Sequence, residues 1–348
     1  MRKNLLDFSF EELVEEFAKL GLEKFRVDQV WDWIFKKKVF TFDEMTNLSK
    51  EHRTILSERF FIGIPELVDM QISKLDKTTK FLWKLEDGNT IESVLLFHPD
   101  RVTACISSQV GCPAKCAFCA TGRSGFVRNL TAGEIVSQVI SMEKERKVNI
   151  GNIVYMGMGE PLLNYEEVVK SVRILNHKKA KNISMRRISI STVGIPEKIV
   201  ELGKDLPEIK LAISLHAATN FKRDLIVPMN KKYSVEEIIH AAKEYQKITK
   251  NRVTFEYILI REFNDFVDDA EKLADLLKGM GAYVNLIPVN PVPSSGEIKM
   301  ERPHHWMIER FKEVLDKRNI ENEIRKEKGT DIDAACGQLR RRHTAGSK

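Results

Sequence analysis

From about residue 100 onward, the chain alternates between short apolar segments and longer segments whose apolar residues recur at helical spacing. This pattern predicts six strands, at 102–107, 152–156, 187–192, 210–215, 253–260 and 283–288. It also predicts six helices, at 132–146, 165–176, 196–202, 235–249, 268–280 and 303–318. This order predicts an α/β fold with a parallel sheet covered by helices. A doubly wound sheet and a complete or partial barrel both fit, and in either the active-site groups gather at the carboxyl ends of the strands.

The N-terminal part of the chain has a different pattern, which predicts a small helical unit. Apolar residues recur at helical spacing in 10–17 and again in 27–37, and Ser49 is placed to cap a third helix. Lysines and arginines lie between the aromatic residues of these helices. The apolar residues are explained by a small helical core, whereas the basic ones leave contact with RNA open.

A β-hairpin is predicted after this unit. Two strand-like segments, 79–85 and 90–97, flank a polar turn that contains Gly88. Glu92 lies in the second, mostly apolar strand, where it is either a solvent-facing carboxylate or a catalytic acid or base. The predicted organisation is a helical domain at 1–65, a hairpin connector at 66–97, a core domain at 98–331 and a C-terminal tail at 332–348.

Composition is typical of a globular protein. The 348 residues are 30% charged and 43% hydrophobic, and the length allows a sizeable core. The chain has no run of about 18 apolar residues, so no transmembrane helix is predicted. The N-terminus turns acidic before a signal-like apolar segment can form, which predicts a cytoplasmic protein.

The net charge of +6 is partly concentrated in local clusters. Clustered lysines and arginines fit a polyanionic partner such as RNA or DNA, although each cluster alone also fits a solvated surface. The clusters lie at 36–38, 177–187 and 340–343.

Three of the five cysteines form a C-x3-C-x2-C motif, at Cys112, Cys116 and Cys119. Thiolates suit iron–sulfur clusters or zinc, and tetrahedral zinc would require a fourth ligand. Three cysteines without a fourth at cluster spacing favour a [4Fe–4S] cluster with one open iron, which is a place for a small molecule to bind. The alternatives are a zinc site completed by Cys105 or His98, or three unrelated thiols.

Polar residues follow several predicted strands, where they would converge on one pocket. The loop at 156–161 lacks the third glycine of a dinucleotide-binding motif, and no Gly-Lys-Ser/Thr follows it, so a phosphate-binding loop is not predicted. The carboxylate of Glu160 and the exposed carbonyls of the loop would instead suit an ammonium group, which needs acceptors. The other candidates are Ser191, Ser214, His216 and Asn290, each of which also fits a cap or turn role. Ser214 and His216 have no acidic partner at a spacing typical of a hydrolase triad.

Cys336 lies between small residues near the C-terminus and is either a buried thiol or a mobile nucleophile.

Together, these motifs resemble those of the radical S-adenosylmethionine (SAM) enzymes that methylate carbon 2 of adenine in bacterial 23S rRNA and tRNA. The similarity extends over almost the whole chain and is carried by 42–49, 105–112, 112–122, 126–131, 156–161, 214–216 and 333–339. It implies a partial (β/α)6 TIM-like radical-SAM barrel with a small, helix-hairpin-helix-like accessory domain at the N-terminus. It also implies one [4Fe–4S] cluster per chain, held by Cys112, Cys116 and Cys119.

The resemblance implies a mechanism as well. SAM, two molecules per turnover, would contact Gly159, Glu160, Ser191, Ser214, Leu215, His216 and Asn290. One SAM methylates Cys336, and a second yields a deoxyadenosyl radical that activates this methyl group for addition to adenine. Glu92 would accept the ring proton, and Cys105 would release the product by forming a disulfide with Cys336. The substrates implied are adenine 2503 of 23S rRNA and adenine 37 of some tRNAs, with a flavodoxin or ferredoxin as electron donor and a monomeric enzyme.

Three other functions fit part of the sequence. The related enzymes that methylate carbon 8 of the same adenine and confer antibiotic resistance share all five cysteines, although Pro161, Leu162 and Leu163 favour the carbon-2 enzymes. A non-catalytic iron–sulfur or zinc RNA-binding protein would leave Cys105 and Cys336 unexplained. An activase for a glycyl radical protein would not need Cys336 or a basic surface.

Overall fold

The computed structural model describes residues 2–290 and 298–332. The strands are β1 (Lys3–Asn4), β2 (Phe60–Phe61), β3 (Glu66–Ile72), β4 (Thr79–Lys84), β5 (Thr90–Phe97), β6 (Val102–Cys105), β7 (Gln109–Gly111), β8 (Phe126–Asn129), β9 (Asn152–Tyr155), β10 (Ile188–Thr192), β11 (Lys210–Ser214), β12 (Thr254–Leu259), β13 (Tyr283–Pro288) and β14 (Glu321–Ile324). The helices are α1 (Phe10–Lys19), α2 (Lys24–Trp31), α3 (Lys50–Arg59), α4 (Ala120–Arg123), α5 (Ala132–Arg146), α6 (Tyr165–Asn176), α7 (Pro196–Asp205), α8 (Asn220–Ile226), α9 (Val235–Thr249), α10 (Val267–Leu277) and α11 (His305–Lys317). Within these described ranges, no helix has the length and apolar character needed to cross a membrane.

Ten strands form one open, mixed sheet in the order β14-β13-β12-β11-β10-β9-β6-β5-β4-β3. Neighbouring strands from β6 to β14 are parallel, and those from β3 to β6 are antiparallel. The parallel strands follow one another in chain order without the reversal of a doubly wound sheet. This order resolves the alternative left by the sequence in favour of a partial barrel.

The two faces of the sheet differ in polarity. The face under the helices is apolar, with Ile190, Ile213 and Phe255 fully buried in the main core. Because side chains alternate along a strand, their neighbours point to the opposite, inner face. The inner face carries Ser191, Ser214, Glu256 and Asn285, which lie on four adjacent strands. Parallel strands that are buried on both faces are usually apolar throughout, so this polar inner face indicates space for a polar ligand.

Local capping explains why several helices begin where the sequence predicts. Thr131 accepts a hydrogen bond from the Glu134 amide, and the Glu134 side chain accepts one from the Thr131 amide. Ser234 and Glu237 form the same capping box at the start of α9. Two orphan amides are satisfied in each box, which fixes the first turn independently of tertiary packing.

The N-terminal helices are attached to the core by a buried carboxylate. Glu143, on α5, lies 2.6 Å from the ammonium groups of both Lys38 and Lys181, and its side chain is 1% exposed. Its Oε1 also accepts a hydrogen bond from the amide of Ile150. Because Lys38 follows α2, this cluster joins the N-terminal segment to the sheet-covering helices.

The predicted elements are largely confirmed, with several corrections. Helices α5, α6 and α9 and strand β13 have the predicted bounds. The core has seven parallel strands rather than six, because β14 was missed; its four residues, of which Glu321 and Glu323 are charged, give little apolar signal. The short helix α8 was also missed, and α10 and α11 are shorter than predicted. The second N-terminal helix begins at Lys24 rather than Val27 and continues beyond Trp31 as a π-helical turn, Asp32–Lys36.

We predict that Glu143→Gln lowers the free energy of unfolding by about 3 kcal/mol, because it leaves two partly buried ammonium groups without a counter-charge. The matched control is Glu145→Gln, an exposed residue on the same helix, which should change stability by less than about 0.5 kcal/mol. Urea unfolding followed by tryptophan fluorescence measures both. Equal midpoints for the two variants would contradict the role of Glu143.

Candidate active site

The cysteine loop is held by the small antiparallel pair β7 and β8. Gly111 has a φ of +78°, and a Cβ atom there would lie 1.9 Å from the carbonyl oxygen of Gly125, so no other residue fits. The amide of Cys112 donates to the same carbonyl at 3.0 Å, and the amide of Cys119 donates to that of Cys116 at 3.1 Å. The backbone therefore fixes both ends of the C-x3-C-x2-C motif.

The three thiols have the properties expected of ligands for an iron–sulfur cluster. Cys112 and Cys116 are buried, and burial raises the pKa of Cys112 to about 12 and that of Cys116 well above its usual value. The neighbouring thiolates raise the pKa of Cys112 and Cys116 further, so bound iron cations would be needed to keep these two thiols ionised. In the part of the chain that the structure describes, no three His, Cys, Asp or Glu side chains converge on one metal ion.

Phe118 and Ala117 attach the cysteine loop to the end of β11. The Phe118 ring packs edge-on against His216, with ring centroids 4.7 Å apart. The amide of Ala117 donates to the carbonyl of Ile226 at the end of α8. These contacts bring the cysteine motif beside the Ser214-Leu215-His216 segment.

Glu160 lies in the loop that follows β9, next to the cysteine loop. Its side chain is 2% exposed, and burial raises its pKa. One carboxylate oxygen accepts from the amide of Leu162 at 3.0 Å and the other from the amide of Val193 at 2.8 Å. The carboxylate thus connects the ends of β9 and β10, and its remaining lone pairs can accept from an ammonium group. Gly159 has a φ of +110°, and a Cβ atom there would collide with Gln109 and Ser108.

Ser191 and Ser214 lie side by side at the ends of β10 and β11, with their Oγ atoms 3.3 Å apart. Leu215 follows and is fully buried in the main core; its amide donates to the carbonyl of Glu256 at 3.1 Å, and its carbonyl accepts from Arg223.

His216 is neutral in this environment. It has a φ of +62°, and burial together with nearby Arg223 lowers its pKa to about 3. Its Nδ1 accepts a hydrogen bond from the amide of Ile258, which leaves the proton on Nε2. His216 can therefore donate a hydrogen bond to a ligand, and its chemistry does not suit a general base.

Arg223, which the sequence analysis did not identify, lies beneath these strand ends. Its guanidinium is fully buried and donates to the carbonyl of Leu215 at 2.9 Å and to Asn230 at 3.0 Å. It also donates to the carbonyl of Val193 and, at 3.4 Å, to that of Ser214. Burial lowers its pKa to about 10, so it remains cationic at neutral pH.

Glu92 and Cys105 lie on neighbouring strands, β5 and β6, which are antiparallel. Glu92 is 3% exposed rather than solvent-facing, and its Oε2 lies 3.4 Å from the ammonium of Lys80. Cys105 is buried opposite Val94.

For two predicted site residues, the described part of the chain gives no contact with the other site residues. Asn290 follows β13 and is exposed. Cys336 lies outside the described residues.

Besides Arg223, two residues that contact the site residues were not predicted from the sequence, namely Gln109 and Lys80. The Gln109 amide oxygen accepts from the Glu160 amide at 2.8 Å, and its NH2 donates to Asn129. Lys80 could have been noticed as a lysine next to apolar residues in a predicted strand. Arg223 gives no such signal, because an arginine in a short helix is usually exposed.

Comparison with known proteins agrees with this geometry. The family model described as "Radical SAM superfamily" matches residues 106–277. The model described as "Ribosomal RNA large subunit methyltransferase N-terminal domain" matches residues 3–62.

Two relatives that are similar over almost the whole chain have the same name. A protein from Fervidobacterium nodosum called "Probable dual-specificity RNA methyltransferase RlmN" is 86% identical over 348 residues, 100% of both chains. A protein of the same name from Thermotoga maritima is 64% identical over 338 residues, 97% of each chain. The crystal structure of a radical SAM methyltransferase from Sphaerobacter thermophilus has 42% identity and a TM-score of 0.91, covering 97% of this chain and 98% of that one. These similarities confirm the resemblance and the radical-SAM fold, and the chain belongs to the RlmN family of dual-specificity, radical-SAM RNA methyltransferases.

Proposed function

We propose that this chain methylates carbon 2 of adenine in RNA, at adenine 2503 of 23S rRNA and at adenine 37 of some tRNAs. The observation that carries this proposal is the placement of a buried carboxylate, Glu92, and a buried thiol, Cys105, on adjacent strands that lead into the cysteine loop. Carbon 2 of adenine is not a nucleophile, so its methylation requires more than a bound methyl donor. A proton acceptor and a thiol beside a radical-SAM site meet that requirement.

In this proposal, Cys112, Cys116 and Cys119 hold one [4Fe–4S] cluster, and SAM binds at the open iron. The cluster and SAM together would supply a carbon-centred radical that can remove a hydrogen atom from a methyl group. The carboxylate of Glu160 and the loop at Gly159 would accept from the amino group of SAM. Ser191, Ser214, the Leu215 backbone, the His216 Nε2–H and Asn290 would contact the rest of SAM.

The chain's own thiols would carry and release the methyl carbon. Cys336 would be methylated by one of the two SAM molecules that each turnover uses, and its methyl carbon would become bonded to the adenine. Glu92 would take the proton from carbon 2. The Cys105 thiolate would then attack the sulfur of Cys336, forming a disulfide and breaking the bond between sulfur and the methyl carbon. The carbon would keep the electron pair of the broken bond and take up a proton to complete the methyl group, and the one unpaired electron of the adduct would return to the cluster, the one-electron carrier that supplied it.

The partners follow from this reaction. Its substrates are 23S rRNA and tRNA, which would place the enzyme in the cytoplasm. The electron would come from a flavodoxin or ferredoxin, and the chain would act as a monomer.

We predict that cluster-reconstituted protein, incubated anaerobically with SAM, a reductant and unmodified 23S rRNA or tRNA, produces 2-methyladenosine. Mass spectrometry of the nucleosides after RNA digestion measures the product. 8-Methyladenosine would instead assign the chain to the carbon-8 enzymes. SAM cleavage without any methylated adenosine would contradict the proposed RNA substrates, and RNA binding without SAM cleavage would favour the non-catalytic alternative.

We predict that Glu92→Gln leaves Cys336 methylation intact but slows product release by about 100-fold, because general base catalysis is lost. The enzyme should then accumulate as a covalent complex with RNA, visible as a slowly migrating band on a denaturing gel. Cys105→Ala should accumulate the same complex through loss of the resolving thiol, and serves as a positive control. Normal turnover by Glu92→Gln would remove Glu92 from the mechanism.

A further inference from the structure

Lys80 is a fully buried lysine, the second residue of β4. Its side chain is 0% exposed, although lysine is among the residues least often buried. Thr79, Phe81, Leu82 and Trp83, which surround it on the strand, are buried too. An ammonium group in such a position requires a partner that outweighs its lost hydration.

One partner of Lys80 is the carboxylate of Glu92. The ammonium nitrogen and Oε2 of Glu92 are 3.4 Å apart, and Glu92 is 3% exposed. Fold stability does not explain this pair, because a buried ion pair usually contributes no more than an apolar pair of similar volume. Leu82 and Val94, which neighbour the pair on the same face, show that apolar side chains are accommodated there.

The strand register places this pair on the face that carries Cys105. Lys80 is opposite Val94, and Leu82 is opposite Glu92, across β4 and β5. Val94 is in turn opposite Cys105 on β6. Because directly opposed residues point to the same side of a sheet, Lys80, Glu92 and Cys105 share one face. The aromatic rings of Phe81 and Trp83 lie on the other face, in the main core.

The backbone of Glu92 is also connected to the loop that carries Glu160. The Ser107 hydroxyl donates to the carbonyl of Glu92 at 2.5 Å and accepts from the amide of Met158 at 2.8 Å. A displacement of Glu92 relative to the strand ends is therefore restrained at the backbone by Ser107 and at the side chain by Lys80.

We propose that Lys80 is a positioning residue that holds the Glu92 carboxylate in place for removal of the adenine ring proton. This inference rests on the proposed function, in which Glu92 is the proton acceptor. The Lys80 ammonium attracts the Glu92 carboxylate and restrains its direction before the step. In the step, the C–H bond at carbon 2 breaks, its electron pair stays with the ring, and the proton moves to Glu92 while Lys80 keeps its own.

The experiment separates the steps of turnover in Lys80→Met and measures the rate at which the covalent protein–RNA complex resolves. We expect Cys336 methylation, measured by intact mass, and SAM cleavage to remain, and resolution to slow about 10- to 100-fold. RNA deuterated at carbon 2 of the adenine should resolve more slowly than ordinary RNA in this variant, because proton removal becomes rate-limiting. A merely structural lysine would affect all steps alike and would not change the isotope effect.

Three further variants serve as controls. Lys84→Met makes the same substitution at a half-exposed position of β4 and should resolve the complex at the normal rate. Lys80→Arg retains the charge and should restore most of the rate, which keeps the test valid if Lys80→Met folds poorly. The double variant Lys80→Met/Glu92→Gln should be no slower than Glu92→Gln alone, because the two residues act in one step.

The outcomes distinguish the two proposals. If Glu92→Gln slows resolution but Lys80→Met does not, the role of Lys80 is wrong and the proposed function stands. If Lys80→Met and Glu92→Gln slow resolution additively, the two residues act separately and the inference is again overturned. If Glu92→Gln itself has normal turnover, the proton acceptor of the proposed function is wrong, and the inference about Lys80 fails with it.

Discussion

The arrangement of the site depends on the buried guanidinium of Arg223. Strands that end beside an active site leave carbonyl groups that no further ladder hydrogen bond can satisfy, and buried carbonyls require donors. The Arg223 guanidinium donates hydrogen bonds to the carbonyls of Val193, Ser214 and Leu215, at the ends of β10 and β11. Its positive charge also lies close enough to Cys116 and Glu160 to oppose the rise in pKa that burial causes at both groups. One cation thus supports the backbone that would contact SAM and offsets the negative charge of the thiolates and the carboxylate.

Much of the fold could be predicted from sequence because its local and tertiary requirements agree. Helices with capping boxes, such as α5 and α9, begin at the predicted residue because side chains three positions apart fix the first turn. Strand β14 could not be predicted, since its charged residues pair with β13 only in the folded sheet. The choice between a barrel and a doubly wound sheet also depends on strand order, which periodicity does not encode.

The site was predictable where chemistry is carried by a motif and unpredictable where it depends on tertiary contacts. The spacing of Cys112, Cys116 and Cys119 favours cluster ligands from the motif alone, with a zinc site as the alternative. Arg223 has no motif, because its role comes from carbonyls on other elements. Glu92 lies between these cases: the sequence left it as solvent-facing or catalytic, and the fold buries it beside Lys80. The ion pair of Lys80 and Glu92, which the stability of the fold does not require, connects this sheet face to the proposed chemistry.

The central claim is that three thiolates hold a four-iron cluster whose fourth iron binds SAM. Mössbauer spectroscopy of the reconstituted protein, with and without SAM, tests it most directly. We predict four irons per chain, of which one changes its isomer shift when SAM binds, and loss of the cluster in Cys116→Ala. Four irons that are all unaffected by SAM, or a site that takes up zinc and no iron–sulfur cluster, would contradict the claim.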